Sequence, residues 1–199
     1  MRTVADLYEI VIIGGGPAGL AAALYAARAR RSTLVLERDQ AGGRLMTLDW
    51  LDDYPGFPAG IAGPDLGRAM AEQAARFGAE IRAAQVQELQ LMPRIKLVRT
   101  ALGDVEAETV IIATGAAGSS ERRWDFPYPV LPPNSVIAAG QLAVDGSGHL
   151  VVNEWMETEL HGVFVAGDVR QYSAQQVITA AGDGATAAIA ADRYLSEEH

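Results

Sequence analysis

The strongest constraint on what this chain can fold into is a six-residue run near its N-terminus, Gly14-Gly15-Gly16-Pro17-Ala18-Gly19. Residues 9–13 before it form a short run that is β-branched and apolar after Glu9, and residues 20–31 after it are alanine-rich and helical in character. The pattern predicts strand, glycine turn, helix. Gly14, Gly16 and Gly19 occupy the G-x-G-x-x-G positions. The first permits a tight turn, the second lets a pyrophosphate approach the backbone, and the third lets helix and strand pack closely. Pro17 suits a first helical turn, where no amide donor is needed. The unpaired amides and partial positive charge of a helix start favour the pyrophosphate of a dinucleotide.

The next strand, 33–36, ends in Glu37. That acid lies about 20 residues past the glycines, where a carboxylate can accept hydrogen bonds from ribose hydroxyls. An ordinary βαβ unit with a tight turn explains the glycines less well, because it does not require Glu37. Up to this point FAD and NAD(P) are equally compatible.

Near the other end, residues 162–166 read as a buried strand running into Gly167-Asp168. An acid at the carboxyl end of a parallel strand faces the ligand crevice. From there Asp168 could accept hydrogen bonds from the ribityl hydroxyls of a flavin, a chain that NAD lacks; the alternative is that Gly-Asp simply makes a turn. Residues 176–194 read as a closing helix, with Val177, Ala181, Ala185, Ala188 and Ile189 at helical spacing. If its start points at the isoalloxazine, the Gln176 and Val177 amides would stabilise negative charge on the reduced pyrimidine ring.

Residues 109–115 form a further buried strand ending in the small-residue turn Ala113-Thr114-Gly115, which lets backbone approach a ligand. Before it, 81–91, 95–99 and 105–107 predict a three-stranded meander. The helix after Gly63-Pro64-Asp65, running to Phe77 and stopped by Gly78, is core packing with good end signals. The expected fold class is therefore α/β: a three-layer FAD/NAD(P)-binding, Rossmann-like fold with a central parallel sheet and a three-stranded β-meander. A chain of 199 residues favours a single domain.

Composition removes several functions. A net charge of −9, with both signs interspersed, leaves no basic stripe for a nucleic acid. Apolar runs fall far short of the roughly 20 residues of a membrane-spanning helix, and Asp6 and Glu9 interrupt any signal-peptide core. A soluble cytoplasmic protein is expected, with no nucleic-acid or membrane partner. With no cysteine there is no dithiol redox pair and no thiolate metal site within these residues. His149, His161 and His199 lack ligand spacing, so no metal is assigned.

Taken together, the glycine loop with Leu20, Glu37, Gly42-Gly43, Tyr54-Pro55-Gly56-Phe57-Pro58, Ala113-Thr114-Gly115, Gly162-Val163-Phe164, Gly167-Asp168-Val169 and the tail Thr179-Ala180-Ala181-Gly182-Asp183-Gly184 resemble the FAD domain of low-molecular-weight thioredoxin reductases and their relatives. The resemblance spans residues 8–115 and about 142–195. It implies a cofactor, FAD, and a binding set of Gly14, Gly16, Pro17, Ala18, Gly19, Glu37, Arg38, Gly42, Gly43, Arg44, Leu45, Asp53, Ala113, Thr114, Gly115, Gly167, Asp168, Gln175, Gln176 and Val177. In that pattern the glycine loop and Glu37 serve the ADP half, while Gly42, Gly43, Asp53 and residues 167–177 lie near the ribityl chain and flavin. No residue is assigned a catalytic role.

Two positions depart from the pattern: Asp53 stands where relatives usually carry Asn, and Gln175 where an Arg is frequent. Asp53 beside a flavin would disfavour the reduced anion; the alternative is a solvated loop acid. The larger departure is a missing second dinucleotide domain with its redox Cys pair. Residues 1–115 and 160–199 are the family-like halves, and 116–159 are a short connection containing Gly118-Ser119-Ser120, Pro127, Pro129, Pro132 and Pro133, and a hairpin expected around Asp145-Gly146-Ser147-Gly148. Trp50, Tyr54, Phe57, Trp124 and Trp155 are candidates for an aromatic lid or, more simply, for loop anchors.

Three functional readings follow: a flavin-dependent oxidoreductase with an external electron donor or acceptor, a non-catalytic FAD module, or a subunit completed by a separate NAD(P)H-binding chain. The resemblance also implies a homodimer.

Overall fold

A computed structural model describes residues 6–117 and 131–198. The expectations concerning Gly118-Ser119-Ser120, Trp124, Pro127, Pro129 and His199 lie outside the described residues. The chain runs β1 (Asp6–Ile13), α1 (Pro17–Arg28), β2 (Thr33–Glu37), α2 (Gly63–Arg76), β3 (Glu80–Ala83), β4 (Val86–Gln90), β5 (Lys96–Thr100), β6 (Gly103–Ile112), β7 (Val163–Val165) and α3 (Val177–Glu198).

The second half of β1, Ile10–Ile13, is apolar on both faces because both are covered, as a central parallel strand requires. Its Ile10 and Ile12 join a core with the inner residues of α1 and α3. Val11 and Ile13 join a second core with Leu89, Val98 and Val105 of the antiparallel strands. Three layers result: helices, parallel sheet and meander.

The parallel part has the order β3-β2-β1-β6-β7. β6 is shared between two partners along one edge. Its first half pairs antiparallel with β5, and its last residues, Val110–Ile112, pair parallel with β7. β4 and β5 extend the meander from there.

The three-layer α/β class is as expected, but three element assignments change. Residues 81–91 are not one meander strand. The chain enters parallel on β2 through β3, is tied at Ala84, whose N–H donates to the Glu37 carbonyl at 2.8 Å, and only then turns into β4. Residues 105–107 and 109–112 are one continuous strand, since no Gly or Pro separates them. The first helix starts at Pro17 and ends at Arg28, three residues short of 31, with Arg30 in left-handed backbone at φ 68°.

The hairpin near Asp145 is a tight turn with a single Val144–Leu150 bridge; the Asp145 carboxylate accepts the Ser147 and His149 amides. In α3 the buried face is Ala180, Ala187, Ala188, Ala191 and Leu195, so Ile189 points outward.

Opposite the carboxyl ends of the strands, Arg31 ties three elements together. It donates to Glu9 Oε1 at 2.9 Å, to Asp192 Oδ1 at 2.7 Å and to Ser196 Oγ at 2.7 Å. Burial pushes the Glu9 carboxyl up, but hydrogen bonds from the Ser32 amide, Arg31 and the Ser32 hydroxyl outweigh it and hold the group below its ordinary value. Arg31→Ala is expected to cost about 2 kcal/mol at neutral pH, measured by urea unfolding. A depressed carboxyl contributes stability above the usual carboxylate range and loses it as pH falls through the folded value. The difference from wild type should therefore shrink in acid; a constant difference at pH 7 and pH 3 would reject this account.

Candidate functional site

The carboxyl ends of β2, β1, β6 and β7 open onto a cleft of about 620 Å³, within the range of small-molecule sites. It lies at the switch point of the sheet, where β1 leads outward to β2 and β3 on one side and β6 and β7 occupy the other.

Gly14 ends β1 at φ +106°, and a Cβ there would run into the Ala113 carbonyl. Strand and turn thus touch backbone to backbone between β1 and β6. Gly19 serves the same purpose inside the loop, because a Cβ there would overlap the Gly14 carbonyl. Gly16 differs: a Cβ at this position meets only the Gly43 Cα, at 4.0 Å. Its missing side chain leaves room in the cleft rather than room for protein, which is what a backbone cradle for a ligand requires.

Gly16 is also the N-cap of α1, with Pro17 in the first turn, so the helix presents its first amides at the cleft. Glu37 closes one side of this cradle. Its Oε2 accepts the Gly15 N–H at 2.6 Å and its Oε1 the Asp39 N–H at 3.2 Å, which fixes the carboxylate beside the loop.

Across the cleft, Asp168 follows β7 in a short 3-10 turn. Its carboxylate takes the Ser173 hydroxyl at 3.1 Å and faces Arg44 Nη1 at 3.4 Å. Arg44 and Leu45 come from a second 3-10 turn, Gly43–Thr47, which rests on the glycine loop where Gly43 approaches Gly16. Glu37 and Asp168 follow strands separated by three sheet spacings, about 14 Å. A ligand that met both acids would have to lie extended across the sheet.

The cleft brings together most of the residues singled out from the sequence: Gly14, Gly16, Pro17 and Ala18; Glu37 and Arg38; Gly43, Arg44 and Leu45; Asp53; Ala113, Thr114 and Gly115; and Asp168, Gln175, Gln176 and Val177. Gly19, Gly42 and Gly167 stand behind its wall and act through packing. Gly42, at φ +118°, lies under Met46, and a Cβ on Gly167 would come 2.9 Å from the Ala18 Cβ. Gln175 borders the cleft, but its amide group is turned away. Its Oε1 accepts the Leu131 N–H and its Nε2 donates to the Leu131 carbonyl, both at 3.1 Å.

Asp53 is exposed and borders the cleft at its rim. Among the aromatic candidates Trp50 lines the cleft, whereas Tyr54 and Phe57 pack on each other with ring centres 6.1 Å apart, against the Leu45–Leu51–Leu66 cluster. Trp155 lies under Arg193 and does not border the cleft.

Sequence reasoning missed Asn134. It donates to the Thr114 carbonyl at 3.0 Å, while Thr114 donates to the Asn134 carbonyl at 2.8 Å. This clasp ties the connection to the end of β6. No local pattern marks it, since the partners lie 20 positions apart.

The sheet and its switch-point cleft define an α/β protein with a Rossmann-like fold and a β-meander on the face opposite its helices. More narrowly, the chain belongs to the pyridine nucleotide-disulphide oxidoreductase family, whose sequence profile matches residues 8–127 and 130–184. It is 49% identical to the bifunctional thioredoxin reductase/thioredoxin of Mycobacterium leprae (strain TN) over 112 residues, which are 56% of this chain and 24% of that protein. The thioredoxin reductase of Peptoclostridium litorale is 26% identical over 309 aligned positions, covering 96% of this chain and 98% of that one. Those positions outnumber the 199 residues here, so the alignment bridges a stretch this chain lacks. The structure of a thioredoxin reductase from Gloeobacter violaceus superposes with a TM-score of 0.86 at 25% identity, covering 96% of each chain. No helix among the described residues is long and apolar enough to cross a membrane.

Proposed function

We propose that this chain binds FAD in the switch-point cleft and works as a flavin-dependent oxidoreductase related to thioredoxin reductase, with an electron donor or acceptor that docks from outside. The observation that carries the reading is the pairing, in one cleft, of the Gly16 cradle beside Glu37 with Asp168 and the start of α3. FAD, when bound, supplies the electron-transfer chemistry.

The chain's own residues would bind and orient it. The amides at the start of α1 receive the pyrophosphate, and Glu37 accepts ribose hydroxyls. Asp168 accepts the ribityl hydroxyls, held in place by Ser173 and Arg44. The Gln176 and Val177 backbone at the start of α3 places partial positive charge where the flavin ring gains electrons. The whole chain reads as one FAD domain in which residues 116–159 replace the nucleotide domain of the reductases. A homodimer and a cytoplasmic setting belong to the same reading.

With no cysteine among these 199 residues, any dithiol exchange needs thiols from outside them. An anaerobic visible spectrum of the FAD-loaded protein tests the reading, with NADPH or NADH added first and dithionite afterwards. Bleaching by a nicotinamide supports a working oxidoreductase. Bleaching by dithionite alone favours the second reading, a binding module or a subunit needing a separate nicotinamide-binding chain. A chain that takes up no FAD would overturn the proposal.

Asp53 provides a finer test. Replacing this rim acid by Asn removes negative charge near the proposed flavin end. Asp53→Asn is expected to raise the midpoint potential of the loaded protein by on the order of 20 mV, since the carboxylate is exposed and well screened. An unchanged potential would remove Asp53 from the site.

A further inference from the structure

The Asp168 turn is held by a largely buried ion pair that does not itself border the cleft. From the second turn of α3, the Asp183 carboxylate accepts Arg170 Nε at 2.6 Å and Nη2 at 2.9 Å, and the Gly167 N–H at 3.2 Å. Arg170 Nη1 donates in turn to the Gln171 carbonyl at 2.8 Å. Gly167 and Arg170 are the two ends of the 3-10 turn that carries Asp168, so one carboxylate brackets the turn from both sides. A 3-10 turn this short has poor internal hydrogen bonding and does not fix its own geometry. Asp183 is 8% exposed and neither it nor Arg170 lines the cleft. A buried ion pair contributes little net stability over an apolar pair, but a two-pronged guanidinium–carboxylate contact fixes orientation.

We infer that Arg170 and Asp183 are positioning residues for the flavin half of the cleft: they aim Asp168 at the ribityl chain and act on cofactor affinity only through it. The inference rests on the FAD reading above. ADP probes the glycine loop and Glu37 alone, whereas FAD also needs Asp168. The experiment is calorimetric titration of wild type, Asp183→Asn and Arg170→Lys with ADP and with FAD. Arg170→Lys keeps the charge while losing the fork, and serves where Asp183→Asn does not fold.

The expected result is FAD affinity weakened about tenfold with ADP affinity held within about twofold. In an Asp168→Ala background the further loss on adding Asp183→Asn should fall to within about twofold, because the two substitutions then remove the same contact. Equal losses for ADP and FAD, unchanged FAD affinity in both variants, or full additivity with Asp168→Ala would each overturn the inference. A wild-type chain that binds ADP but not FAD would instead defeat the flavin reading on which it stands.

Discussion

Gly16→Val is expected to abolish measurable FAD binding while leaving the chain folded. The residue sits at φ −76°, ψ −172°, an extended conformation that valine adopts without strain. Apart from its own chain neighbours, the position its Cβ would take meets only the Gly43 Cα, at 4.0 Å. The branched side chain therefore projects into the cleft, between the pyrophosphate and the amides of the first turn of α1. Losing two charge-assisted hydrogen bonds, each about 1.5 kcal/mol or more, weakens affinity by at least about 100-fold. Exchanging the N-cap glycine costs the fold at most about 1 kcal/mol. FAD titration followed by flavin fluorescence, with circular dichroism as the fold check, reads both. Near-normal affinity in a folded variant would show that the pyrophosphate does not lie on this loop. Gly14 is the useful contrast: at φ +106° and against the Ala113 carbonyl, Gly14→Ala should fail at folding rather than at binding.

Gly184→Ala should be the most damaging single-methyl change in α3. A Cβ at this position would overlap the Ala18 carbonyl oxygen and lie 2.8 Å from its carbon, so α3 crosses the first turn of α1 in backbone contact. Alanine normally gains up to about 1 kcal/mol over glycine inside a helix. Here that gain is exceeded by forcing two helices apart in a close-packed layer, for a net loss of about 2 kcal/mol and a fall in Tm of roughly 4–8 °C. The same displacement moves the start of α3 away from the cleft, so FAD affinity should fall in parallel. Gly182, two residues earlier, meets nothing within 4 Å and is exposed. Gly182→Ala should therefore raise Tm by propensity alone. Opposite signs at 182 and 184 are the result that matters. Destabilisation at both positions would mean that α3 is intolerant of alanine for reasons other than the crossing.

What could be read from the sequence was whatever is encoded within a few residues. The glycine loop needs small residues at fixed offsets, the buried strands need unbroken β-branched runs, and Glu37 and Asp168 stand at strand ends, where an α/β sheet presents its ligand crevice. Each of these is a local requirement of backbone space or hydrophobic period, and so it survives in one dimension. Partner choice does not. Nothing local tells β3 to pair with β2, or lets β6 divide one edge between β5 and β7; those pairings follow from which helices and strands compete for the same apolar faces. The direction of a polar side chain is undecided for the same reason. Gln175 stands where the resemblance places a cofactor contact, yet its amide meets Leu131, 44 positions away. Asn134, with no motif around it, closes on Thr114. The sequence alone therefore determined that the fold of this family would form, with a cleft at its switch point. Only the tertiary structure decided which side chains face that cleft and which brace it, because buried hydrogen-bonding groups take whatever partner the packing of distant segments brings within reach.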